Sequence, residues 1–484
     1  MDRTAMKQLE AWKTSRNRKP LIIRGARQTG KTWLSEEFGR TRYEAVARID
    51  LMNNERARSF FDGDLDVSRI LRNISLETGV PITADTLVLL DEIQECPRAL
   101  TALKYFCEDA RAYHVIATGS YMGIARHEDT SYPVGKVDTL TLRPMDFTEY
   151  LRAIGQGMMA DAMSDGASIA DLDSGFRDRL KDWLKEYMVV GGMPAVVADF
   201  AEHHDFNEAR KLQREILDDY DGDFSKHAPL RILERIRMVW ASLPSQLAKE
   251  NRKFIYGALR PGARAREFEE SIQWLRDYGA ITKVPAVTAI RTPLAAYEDS
   301  AAFKLFAVDC GLLGALARLS PSTILEGEKL FTEFKGAFTE QYVCQQLVAQ
   351  RLSPYYWSSP TGRAEVDFVV DHPDTVLPIE VKAQENLQAK SLRVAVGHFD
   401  LHKAVRTSLA GYRDNDWLLN VPLWAINRLA ALPTIGARTK KDLRREAEAP
   451  DNRSSCQAVS GNGNLGKREI PTLVNGDSIC ADMR

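Results

Sequence analysis

Scarce in this chain of 484 residues are cysteine, net charge, long apolar runs and internal repetition. Six cysteines, Cys96, Cys107, Cys310, Cys344, Cys456 and Cys480, lie far apart with no C-x-x-C pair, which argues against a disulfide framework and a thiolate zinc site. No stretch approaches the roughly 18 to 20 uninterrupted apolar residues of a membrane span, so no membrane partner is expected. The opening Met1-Asp2-Arg3-Thr4 carries no apolar signal region, and the expected location is cytoplasmic. A net charge of -2 gives no global bias toward nucleic acid, so any such surface has to be local. No repeat recurs at a fixed period. What is present is ordinary for a globular protein, 44% hydrophobic and 27% charged residues, and the length predicts about three domains.

Against that plain background one stretch stands out, Gly25-Ala26-Arg27-Gln28-Thr29-Gly30-Lys31-Thr32. The apolar run Pro20-Leu21-Ile22-Ile23 precedes it at strand length, and Thr32 to Phe38 follows with helical spacing of apolar residues. The pattern G-x-x-x-x-G-K-[ST] therefore sits between strand and helix, as its mechanism requires. Glycines let consecutive N–H groups face one anion, and the helix start adds its positive dipole end. Lys31 is expected on the β/γ phosphates of ATP and Thr32 on Mg²⁺.

The run Thr86-Leu87-Val88-Leu89-Leu90 reads as a strand buried on both faces, and it ends in Asp91-Glu92, at the edge where ligands bind. Asp91 is expected to hold Mg²⁺ through water and Glu92 to polarise the attacking water. A further buried strand, Tyr113 to Ala117, ends in Thr118-Gly119-Ser120, where Thr118 or Ser120 could sense the γ-phosphate or position the water. Strand and helix alternate from residue 20 to 120, which predicts a parallel α/β sheet. Residues 4 to 19 read as a basic helix with Leu9 and Trp12 as its packing residues, and residues 155 to 175 as a loose surface insertion.

The ordered set of this loop, Leu-Leu-Asp-Glu-Ile-Gln, Ala-Thr-Gly-Ser, Pro-Val-Gly-Lys-Val, Leu-Arg-Pro-Met-Asp-Phe and Gly-Gly-Met-Pro resembles the prokaryotic AAA-type ATPases that carry a C-terminal domain of unknown function (DUF4143 type). The likeness spans residues 18 to about 430. It implies an α/β chain of three parts: an AAA-type P-loop ATPase domain with its helical extension (1-204), a winged-helix-like segment (205-320) and a restriction-endonuclease-like α/β domain (321-435). Residues 436-484, polar and poor in apolar residues, read as a mobile tail. Most relatives carry Arg after the glycine of Pro-Val-Gly, where this chain has Lys136; Lys136 and Arg143 are both candidates for the role of that arginine.

Within the middle segment, Val239 to Glu250 followed by Ala265 to Leu275 has a two-helix rhythm, and Gly279 to Pro285 suits the strand of a wing. Arg260, Arg264 and Arg266 could meet DNA phosphates there, while Glu267, Glu269 and Glu270 oppose them. Later, a helix from Thr332 to Gln350 precedes strands Pro354 to Ser358, Glu365 to Val370 and Val376 to Lys382, with a turn at 371–374. Side chains two apart on a strand share a face, so Glu380 and Lys382 point the same way, with Asp367 on the neighbouring strand. The order of elements resembles that of the restriction-endonuclease-like nucleases, and it implies a Mg²⁺-dependent phosphodiesterase site of Asp367, Glu380 and Lys382. Glu340 would complete the metal shell, with Glu333 as the alternative. The expectation is thus an ATPase acting on nucleic acid, most naturally DNA, with a homo-oligomer left open. Its rival is a nucleotide-driven switch or scaffold that binds a protein partner through an inactive nuclease-like domain.

Overall fold

The computed structural model describes residues 2–120, 133–163, 166–249, 252–326, 332–373, 375–384 and 389–432. The readings placed on Tyr132, Asp374, the side chain of Glu333 and the tail 436-484 lie outside the described residues. The first sheet holds β1 (Leu21–Arg24), β2 (Ala45–Asp50), β3 (Thr86–Asp91), β4 (His114–Gly119) and β5 (Asp138–Thr141) in the order β2-β3-β4-β1-β5, with every pairing parallel. Strand alternation explains how apolar runs with no polar gaps come to stand here. Ile22, Val88 and Leu90 enter a core on one face with Phe61, Ile70 and Phe106, whereas Leu21, Ile23, Leu87 and Leu89 enter a core on the other with Leu9, Leu34 and Phe38. Each such side chain contributes roughly 1.5–3 kcal/mol of burial, so a polar residue anywhere in β3 would be costly.

After β5 the chain turns helical. Helix Phe147–Ala153 starts with Asp146 and Glu149 as a reciprocal capping box, the pair that Asp-Phe-Thr-Glu spells out. Helices Ser174–Val190, Phe206–His227, Leu230–Leu247 and Ala265–Tyr278 follow. The stretch 155 to 175 is not a loose insertion: it forms the short helices Gly157–Ala162 and Gly166–Asp171, with Ala160, Met163 and Ile169 buried in the same core as Phe147 and Tyr187. Its glycines weaken the helical signal without preventing Ala160, Met163 and Ile169 from being buried.

The hairpin after Tyr278, β6 (Ile281–Val287) and β7 (Glu298–Ala307), leads into helix Cys310–Leu316. It does not stand apart as a free wing. Its β6 pairs in parallel with β8 (Tyr355–Ser358), which continues into β9 (Glu365–His372), β10 (Thr375–Val381), β11 (Ala404–Ser408), β12 (Arg413–Asn415) and β13 (Leu418–Pro422). One eight-stranded sheet results, ordered β12-β13-β11-β10-β9-β8-β6-β7. Helix Thr332–Ala349 packs on it, and one apolar core extends from Met145 to Leu432.

The Gly-Gly-Met-Pro turn fastens these parts. Gly192 lies so close to the Leu-Arg-Pro-Met segment that a Cβ on it would stand 2.1 Å from the Met145 carbonyl oxygen. Met145 N–H donates to the Gly192 carbonyl at 2.7 Å, and Gly192 N–H donates to Asp309 at 2.6 Å. The Tyr187 hydroxyl donates to the Met145 carbonyl at 2.6 Å and accepts from Gln345 and Gln346 of the Thr332–Ala349 helix. Among the described residues no helix is long and apolar enough to cross a membrane.

Candidate functional site

The loop between β1 and helix Lys31–Arg42 has the geometry its residues call for. Gly30, the residue before the helix, has φ 87°, a left-handed value that costs glycine nothing. Gln28 at φ 63° and Glu92 at φ 52° are non-glycine residues in the same region, and such strain gathers at functional sites. Lys31 is buried at the loop's centre, its ammonium donating to the carbonyls of Ala26 at 2.9 Å and Gly25 at 3.2 Å. Burial pulls that ammonium down to about 8, while Glu92 and Asp91 act in the opposite direction.

At the end of β3, Asp91 is the hub. Its Oδ1 accepts from the Thr32 hydroxyl at 3.1 Å and from the Thr118 hydroxyl, and its Oδ2 accepts from Arg48 at 2.7 Å. Arg48 also pairs with Glu36 at 2.7 Å. Glu92 donates its backbone N–H to Thr118 at 3.4 Å, and its carboxylate accepts from Gln94 at 2.6 Å. Ser120 is buried just beyond β4. A hydroxyl and a carboxylate 3.1 Å apart, both hard oxygen donors, fit Mg²⁺.

The loop's outward side chains reach the helical segment. Arg27 pairs with Asp223, and Gln28 donates to Asp219 at 2.6 Å, both on the Phe206–His227 helix. Tyr220 of the same helix donates to the Arg27 carbonyl at 3.1 Å, and Tyr278, the last residue of the Ala265–Tyr278 helix, donates to Asp223 at 2.8 Å. Behind the loop, Arg3 is buried and donates to the carbonyls of Thr29 at 3.1 Å and Arg143 at 2.6 Å, while pairing with Glu149. Lys136 pairs with Glu108 at 2.7 Å.

A second cluster lies on the eight-stranded sheet. In the antiparallel ladder of β9 and β10, Ile379 stands opposite Phe368, which leaves Glu380 and Asp367 next in line. The Val381 N–H donates to Asp367 at 2.7 Å, and Lys382 pairs with Glu380 at 2.8 Å. Glu340 is buried beside them and paired with Arg252. Burial, then the Asp367 charge, pushes the Glu340 carboxyl up, and Lys304 and Arg252 pull it back toward its charged form. Among the described residues, no three His, Cys, Asp or Glu side chains form a group that could hold a metal ion. The acids here already carry cations, Lys382 on Glu380 and Arg252 on Glu340.

Residues 17–151, which contain the loop and Asp91-Glu92, match the AAA domain family. Residues 335–426 match a domain of unknown function, DUF4143, and residues 181–323 a second one, DUF8612. The chain thus carries an AAA domain at its N-terminal end and a DUF4143 domain at its C-terminal end. A comparison with curated proteins found no match. Among solved structures, a Walker-type ATPase of Pyrococcus abyssi is similar at 17% identity over 65% of this chain and 95% of that one, with a TM-score of 0.40. The ORC1 protein of Aeropyrum pernix, solved with DNA, is similar at 13% identity over 65% and 90%, with a TM-score of 0.26. The Holliday junction branch migration motor RuvB of Thermotoga maritima is similar at 14% identity over 59% and 90%, with a TM-score of 0.28.

Around these sites, sequence reasoning did not single out Arg3, Arg48, Asp219, Tyr220, Asp223, Tyr278, Arg252 or Lys304. Asp219 and Asp223 sit one turn apart on an amphipathic helix, a spacing that also describes any solvated acidic face. A basic residue in the middle of β7 flanked by Phe303 and Leu305 was the one usable signal for Lys304, since an interrupted apolar strand asks for a buried partner.

Proposed function

We propose that the loop Gly25 to Thr32 binds ATP with Mg²⁺, that Glu92 activates the attacking water, and that the nucleotide state is passed to the helical segment through Arg27 and Gln28. Lys31 would hold the β/γ phosphates, and Thr32 and Asp91 the metal, which supplies charge neutralisation to the phosphates. Thr118, bonded to Asp91 and to the Glu92 backbone, would keep the two acids in register, and Ser120 lies beyond it on the same edge. The observation that carries this reading is the grip of the Phe206–His227 helix on the phosphate loop at Arg27 and Gln28. ATP phosphates bring negative charge next to Asp219 and Asp223, so binding bears directly on those contacts.

The test pairs Lys31→Ala, expected to abolish ATP binding, with Glu92→Gln, expected to bind ATP and turn it over about 10²-fold more slowly or worse. ATP bound to Glu92→Gln should change backbone hydrogen exchange in residues 206–227. Parental turnover in Glu92→Gln removes Glu92 from its role, and unaltered exchange removes the coupling.

A second reading, action on DNA, is favoured by the exposed Arg260, Arg264 and Arg266 at the start of the Ala265–Tyr278 helix. Opposing it, Arg260 already pairs with Glu267, and Glu270 with Arg231. The salt dependence of binding to duplex DNA decides this reading.

A further inference from the structure

The acids of the eight-stranded sheet come supplied with cations. Lys304, on β7, is 0% exposed, with its ammonium 2.7 Å from Glu365 and 3.7 Å from Glu340. It also lies over the ring of Tyr356, 4.9 Å from the centroid. Arg252 pairs with Glu340 from the other side and stands 4.0 Å from Asp367. Lys382 completes the set on Glu380. A lysine with no exposure persists only where carboxylates answer its charge, because an uncompensated buried ion costs far more than a pair.

Two buried oxygens of this centre, Glu340 Oε2 and Glu380 Oε2, accept no hydrogen bond, and with Asp367 they are oxygens a divalent ion could use. The first already faces Lys304, and the second belongs to the carboxylate that Lys382 holds. An ion of charge two entering between them would meet Arg252 and Lys304 on the Glu340 side and Lys382 on the Glu380 side. Like charges so close in a poorly solvated site repel strongly.

We propose that this centre is a metal-free ionic clasp, in which Arg252 and Lys304 stand where Glu340, Asp367 and Glu380 would otherwise hold a divalent ion and fasten the β6–β7 hairpin to the C-terminal sheet. Both cations precede residue 320 in the chain, and their acids follow it. The clasp thus joins the segment matching DUF8612 to the one matching DUF4143. It fills the place of the metal with side chains that cannot leave. The inference stands apart from the nucleotide reading, since it concerns no residue of the phosphate loop.

The experiment measures bound Mn²⁺ by electron paramagnetic resonance on the nucleotide-free full chain, for wild type, Asp367→Asn and Arg252→Met. Wild type and Asp367→Asn are expected to bind the same number of ions, because any Mn²⁺ they share belongs elsewhere. Loss of one ion per chain in Asp367→Asn would overturn the proposal. Arg252→Met, which takes away the more accessible cation, is expected to gain one Mn²⁺ per chain, and the double variant with Asp367→Asn to lose it again. Absence of that gain in folded Arg252→Met would overturn the claim that Arg252 stands in the place of the ion. If Arg252→Met fails to fold, the wild type and Asp367→Asn comparison still decides the matter.

Discussion

Raising the pH should weaken ATP binding through a single side chain. Lys31 is 5% exposed, and burial lowers its ammonium from 10.5 to about 8 in the free protein. Docked phosphates surround that ammonium with negative charge, which returns it to its ordinary value or above. The difference, 10.5 − 8, is worth about 3.4 kcal/mol of linkage at ~1.36 kcal/mol per pH. The sign follows from which form takes up the proton. Below pH about 8, Lys31 is charged both free and bound, so affinity is flat; above it, the free protein has lost the proton and ATP binding must recover it. Affinity should then fall nearly tenfold per pH, to about 20-fold weaker at pH 9.5 than at 7.5. A fluorescent ATP analogue titrated into Glu92→Gln between pH 7.5 and 9.5 reads the affinity. Calorimetry in buffers of different ionisation enthalpy counts the proton, close to one per ATP at pH 9.5. The guanidinium of Lys31→Arg stays charged throughout, so whatever ATP binding that variant keeps should lose the slope. Constant affinity to pH 9.5 with no proton uptake would refute the argument.

Gly192→Ala should cost about 3 kcal/mol of stability, since its Cβ would stand 2.1 Å from the Met145 carbonyl oxygen and 2.8 Å from the Met145 nitrogen, backbone atoms with nowhere to go. An unchanged denaturation midpoint would show that the junction yields. Replacing Arg260, Arg264 and Arg266 by Ala should flatten the logarithmic salt slope of duplex binding by about 0.9 for each phosphate contact removed, and an identical slope and affinity would assign the segment another purpose.

Much of the nucleotide site was legible because its parts are contiguous. A phosphate loop needs a strand before it and a helix after it within a dozen residues, and Leu21 to Phe38 spells all three. The double-faced burial of β3 could likewise be read from Leu87 to Leu90, because an unbroken apolar run has only one way to satisfy a sheet covered on both sides. The sequence also placed Glu380 and Lys382 on one strand face, and the register of β9 with β10 then brought Asp367 alongside.

Partners distant in the chain were a different matter. That Arg27 meets Asp223, that Arg3 reaches Glu149, and that Lys304 answers Glu365 are facts about segments about 60 to nearly 200 residues apart. Charged residues of these types occur throughout the chain, so type and spacing do not select the pairs. Packing selects them: the Gly-Gly turn lets Met145 and Asp309 close on the helical segment, and β6 adds itself to the C-terminal sheet. The sequence by itself therefore determined the pattern that needs neighbours in the chain, the loop Gly25 to Thr32 between strand and helix and the acid pair at the end of β3. Only the tertiary structure decided what holds that loop and which cations sit on the C-terminal acids, because electrostatic pairing in a buried site depends on distances that the core alone sets.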